Sequence, residues 1–118
     1  MFEWIRRLAR QDHDLATISA LGERDLSDMG VSREQALNLA AMPRAIPARV
    51  QAMGRVFDLD ADALQRDRAQ WVNMVETCAE CPHTLECRSF LSLGDFARPG
   101  AAGFCPNSAA FRGQTAAA

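Results

Sequence analysis

The chain contains no lysine and no tyrosine, and all 13 of its basic side chains are arginine. With alanine abundant, this is the composition of a GC-rich bacterial genome, and no mechanism follows from it. An excess of charge is missing too. Thirteen basic against 15 acidic side chains leave a formal net charge of −2, which offers no diffuse attraction to nucleic acid or to an anionic membrane. No run approaches the roughly eighteen apolar residues of a transmembrane helix. The opening "MFEWIRRLAR" carries Arg6, Arg7 and Arg10, but the following "QDHDLATISA" is too polar for the apolar region of a secretory signal. The expected location is therefore cytoplasmic, a reducing compartment.

Catalytic arrangements are also lacking. Ser32, Ser89, Ser92 and Ser108 stand outside any nucleophile elbow or triad context, and no glycine-rich phosphate loop is present. Asp58, Asp60 and Asp62 alternate as in a calcium loop, but Ala63 and Ala69 occupy the positions where such a loop needs glycine and glutamate. These acids read instead as the cap and first turn of a helix. No enzyme activity is expected.

What is present is helical periodicity and a group of cysteines. The 118 residues suffice for one domain with an N-terminal appendage, able to bury a core without help from cysteine. The expected fold class is all-α: a small helical domain with a four-cysteine metal or cluster site and an N-terminal helical hairpin. Phe2, Ile5 and Leu8 begin a short amphipathic helix. Leu21, Leu26 and Met29 follow a helical period up to Gly30, a left-handed cap. Ser32 then caps a second helix, with Gln35 at the reciprocal position. Pro43 and Pro47 mark a joint. The segments read as 1–46 for the helix and hairpin, 47–113 for the cysteine domain and 114–118 for a disordered tail. One helix is expected over 61–78, with Leu64, Arg68, Trp71, Val75 and Cys78 on one face. Cys81 before Pro82 breaks it, and Pro82 suits the first position of a helix ending near Gly94.

Cys78, Cys81, Cys87 and Cys105 form the pattern C-x2-C-x5-C-x17-C. A bend between two helices gathers the first three, and a loop returns the fourth. Four thiolates suit either tetrahedral zinc or an iron–sulfur cluster, both soft centres. Zinc ligands usually come as two symmetric pairs, whereas here one pair joins two single cysteines. A cubane spreads four iron corners over a wider volume, so single cysteines serve it naturally. Pro106 after Cys105 is similar to the Cys-Pro ending of bacterial ferredoxin motifs. The expected cofactor is a [4Fe–4S] cluster, with zinc as the alternative. His83 is an alternative ligand, though a histidine beside proline at a helix start is ordinarily exposed. Trp71, Phe90, Leu91 and Phe104 are expected to wall the site from water.

"CAECPHTLEC" resembles the C-x2-C-P-x4-C segment of WhiB-like proteins, and C-x2-C-x5-C also resembles three cluster ligands of endonuclease-III-type DNA glycosylases. Both resemblances imply that Cys78, Cys81 and Cys87 are [4Fe–4S] ligands. Residues 53 to 113, with "FCPN", resemble an uncharacterised bacterial cysteine-motif domain. In the N-terminal half, "DMGVSREQA" is similar to the turn of helix-turn-helix proteins, and the longer stretch resembles YjiS-like small bacterial proteins. From Leu21 to Arg49, however, four arginines meet four acids. A protein partner is therefore expected for the hairpin, and nucleic acid is the weaker reading. Taken together, the expectation is a redox- or iron-responsive accessory or regulatory protein, or else a zinc-stapled interaction module.

Overall fold

The computed structural model describes residues 15–117 together with Ile5. The arginine-bearing opening and His13 lie outside the described residues. Those described are helical, and no strand occurs among them. Residues 15–20 are followed by α1 (Glu23–Met29), α2 (Arg33–Ala41), α3 (Ala45–Val56), α4 (Ala61–Gln65), α5 (Arg68–Ala79), α6 (Thr84–Leu91) and α7 (Ser108–Ala117). Two 3-10 turns, Gly94–Phe96 and Pro99–Ala101, lie between α6 and α7. The chain divides into two units, Met1–Pro43 and Arg44–Ala118.

The first unit is held by its caps. Gly30 adopts φ 77°, and its N–H reaches the Leu26 and Ser27 carbonyls that α1 leaves unpaired. Ser32 Oγ accepts from the Gln35 N–H at 3.0 Å, and Gln35 Oε1 accepts from the Ser32 N–H at 3.1 Å. Both ends of the Gly-Val-Ser turn are thus satisfied as the sequence suggested. Arg33 was not anticipated in its role. Its guanidinium donates to the carbonyls of Ile18 (2.9 Å), Ser19 (3.2 Å) and Leu21, and pairs with Glu23 at 3.2 Å. A cation at the C-terminal end of the helical residues 15–20 is where the macrodipole favours one.

In the second unit α3 packs on α4 and α5. Val50 and Met53 of α3, Leu64 of α4 and Val75 of α5 are almost wholly excluded from solvent. Gly54 permits the close approach: a Cβ there would stand 2.6 Å from Leu64 Cδ1. Phe57 stacks on Phe111 with centroids 5.1 Å apart, joining the end of α3 to α7.

The helix expected over 61–78 is two helices. Asp67 leaves the helical region (φ −99°, ψ 103°), and its Oδ1 accepts from the Gln70 N–H at 3.2 Å. A short carboxylate competes with the helix for backbone donors, and here it starts a new one. Arg68 is consequently exposed and Met74 buried, against the face read from the sequence. Asp60 caps α4 through the Ala63 N–H at 2.7 Å. After α5, Cys81 and Pro82 lie outside any helix, and α6 starts at Thr84 with His83 as its N-cap. Helix α7 runs past Arg112 to Ala117. Gln114 donates to Gln70 Oε1 at 2.8 Å, and Thr115 Oγ1 donates to the Phe57 carbonyl at 3.3 Å.

Gly54→Ala is expected to lower stability by about 1–3 kcal/mol through overpacking against Leu64, despite alanine's better helix propensity. Gly113→Ala, on exposed α7 with nothing within 4 Å of the added Cβ, is expected to raise it by about 0.5–1 kcal/mol. Urea titrations of the two variants check the opposite signs.

Candidate metal centre

Four stretches of backbone bring the four cysteines to one place. Cys78 stands in the last turn of α5, Cys81 in the connection after it and Cys87 in the first half of α6. Cys105 arrives on the returning segment just ahead of α7. All four line a single small cavity of about 20 Å³. Cys78 and Cys87 are buried, Cys81 and Cys105 half-buried, and all four are free thiols. The sulfurs do not close on one point. Among the described residues, no three His, Cys, Asp or Glu side chains are gathered closely enough, as they stand, to ligate a single metal ion. The expected four-cysteine metal site is therefore present as four thiols around a shared space, without the closed coordination shell the sequence reading anticipated. Each sulfur is carried by a different stretch of backbone.

The return of Cys105 depends on Asn107. Its side chain is 6 % exposed, and Nδ2 donates to the Met74 carbonyl at 2.8 Å. That bond anchors the segment to the middle of α5. The sequence analysis noted "FCPN" without seeing this role, which needs the carbonyl of a residue far away in the chain. Backbone N–H groups meet two sulfurs: His83 donates to Cys81 Sγ at 3.3 Å, and Asn107 and Ser108 donate to Cys105.

Arg49, on α3, is the second residue that sequence reading missed. It is the one charged side chain among the described residues lining the cavity. Its charge favours the thiolate form of both Cys78 and Cys87. Of the aromatic wall expected, Phe104 lines the cavity and Phe90 packs edge-on against it at 5.6 Å. Trp71 does not line it, and Leu91 faces a different cleft beside Arg55 and Asp58. His83 is exposed, 3.6 Å from Glu86, and also stands outside the lining.

Burial pushes the thiols of Cys78, Cys87 and Cys105 above their ordinary 9.0. Neighbouring cysteines add to the rise in each, while Arg49 opposes it at Cys78 and Cys87 and the Asn107 N–H opposes it at Cys105. The metal-free pocket thus favours neutral thiols, whereas a soft metal takes thiolates and displaces their protons.

The chain belongs to a family of unknown function, DUF6455, whose model matches residues 39–117. That span contains all four cysteines, Arg49 and Asn107. No curated protein and no solved structure matches the chain. The resemblances to WhiB-like and YjiS-like proteins rest on their short motifs alone.

Asn107→Ala is expected to cost about 0.5–1.5 kcal/mol, the net worth of one hydrogen bond, with Cys105 becoming faster to alkylate. Unchanged alkylation would disprove its anchoring role. The raised thiols also set a pH dependence. Unfolding lets these three groups ionise at lower pH, so their contribution to stability is full below about pH 8.5 and is lost as pH rises through the higher folded values. Denaturation of the reduced, metal-free protein is expected to show stability falling from about pH 8.5 upward. A flat profile would contradict the assignment.

Proposed function

We propose that Cys78, Cys81, Cys87 and Cys105 hold one [4Fe–4S] cluster, and that the protein acts in the cytoplasm of a bacterium as a redox- or iron-responsive accessory or regulatory protein. The observation that carries this reading is the sharing of one cavity by four thiols from four stretches of backbone. The donor set fits the group. It is all sulfur, no carboxylate lines the cavity, and backbone N–H groups meet Cys81 and Cys105. Hydrogen bonds of this kind, with burial, are the levers by which a protein adjusts such a centre.

Spacing favours a cluster over zinc. Structural zinc ligands usually come as two symmetric pairs, whereas here one CxxC pair joins two single cysteines. A cubane is larger and offers each cysteine its own iron corner. When bound it would supply one-electron chemistry. With four cysteine ligands it keeps no open position, in line with a role in electron storage or sensing and not in bond-making catalysis.

The N-terminal hairpin fits a protein partner better than a nucleic acid. Arg33, the cation best placed at the start of α2 to meet a phosphate, is already committed to three carbonyls and Glu23. Sequence reading needs cations free to neutralise phosphates.

Anaerobic reconstitution with ferrous iron and sulfide is the test. A brown protein with about four irons and four sulfides per chain is expected, and Cys105→Ser should lose most of the visible absorption. A colourless protein holding one zinc per chain, with no iron uptake, would overturn the reading in favour of a zinc-stapled interaction module.

A further inference from the structure

We propose that Arg49 is the residue that sets the electrostatics of this centre, raising its reduction potential and favouring its reduced state. The inference rests on the four-cysteine cluster reading above. Four thiolates outweigh the positive charge of an iron–sulfide core, so the centre is anionic, and an added electron makes it more so. A fixed cation against the sulfurs therefore stabilises the reduced form more than the oxidised one.

Arg49 is placed to be that cation. It projects from the second turn of α3 into the cavity lining, half-buried, beside Val50, Met53 and Phe111. These apolar neighbours keep water and salt from screening it fully. Among the described residues no carboxylate pairs with it, so its charge is not already offset. It lines the cavity with Cys78 and Cys87, and its charge favours the thiolate of each, so one side chain acts on two ligand-bearing helices. Other groups at the cavity are dipoles: the Thr84 hydroxyl, the Asn107 amide and the N-termini of α6 and α7. Arg49 acts on the ligands and tunes the centre through them, which makes it a positioning residue. In the redox step one electron passes from an external one-electron donor, a reduced viologen in the assay, to the centre. No bond in the protein forms or breaks.

The experiment is an anaerobic redox titration of the reconstituted full chain, with Arg49→Gln, Arg49→His and, as a control on the exposed part of α3, Arg55→Gln. Arg49→Gln is expected to lower the reduced-to-oxidised ratio at a fixed potential about tenfold, a midpoint 59 mV lower for one electron. Arg55→Gln should change that ratio less than twofold. Arg49→His puts a switchable charge in the same place. Its midpoint should climb towards the parent's as the imidazole is protonated through about pH 6.5. An Arg49→Gln protein titrating with the parent overturns the inference, as does an Arg49→His midpoint that follows the parent's pH dependence. Should the glutamine variant fail to load, the histidine variant decides alone. A parent protein that takes up no iron and sulfide sinks the cluster reading, and this inference with it. An iron-loaded parent with unshifted Arg49 variants refutes this inference only.

Discussion

The hydrogen bond from Asn107 to the Met74 carbonyl holds the returning segment, and with it Cys105, against α5. Besides that tie, the stretch between α6 and α7 is placed by short 3-10 turns, the buried Ala102, Phe104 against Phe90 and the Arg112 bond to the Pro99 carbonyl. So placed, Cys105 faces Cys78, Cys81 and Cys87 across a shared space. The bond is buried, and it is a second one to a carbonyl already inside the α5 ladder, so its effect is to position the returning segment. The same anchor orients the start of α7, whose Phe111 then stacks on Phe57 and closes the core beneath the site.

The core and the site are therefore built by the same helices but make different demands. Packing wants the close approach of α3 and α4 at Gly54, and it supplies a rigid floor of Val50, Met53 and Phe111. The site wants sulfur, and burial makes the free thiols reluctant to ionise. Arg49, the Asn107 N–H and the helix N-termini push the other way, toward thiolate. A pocket that resists bare thiolates yet carries donors and a cation for them suits a metal-bound state better than a reactive free cysteine, which would need a lowered pKa.

The two units have different characters. The second has a continuous apolar core, while the first is held mainly by caps and by the Arg33 clamp on backbone carbonyls. That clamp uses up a charge that a phosphate-binding surface would need.

Much of this was legible in the chain alone, because it depends on neighbours a few residues apart. The all-helical character, the Gly30 cap, the Ser32–Gln35 box and the Asp60 cap are such local effects, as is the end of the helix before Cys81. The four cysteines could be picked out by type and spacing. The break at Asp67 was hidden, because the same carboxylate fits an exposed helix position or a cap, and only packing of Met74 selects the cap. Arg49 and Asn107 carried no local signal at all. Their partners, Cys78 and the Met74 carbonyl, lie about thirty residues away, and only the folding of α3 and the returning segment onto α5 brings them within reach. Nor could spacing decide whether the sulfurs meet at a point or ring a cavity, since that distance is set by how far the helix ends stand apart once their apolar faces are buried.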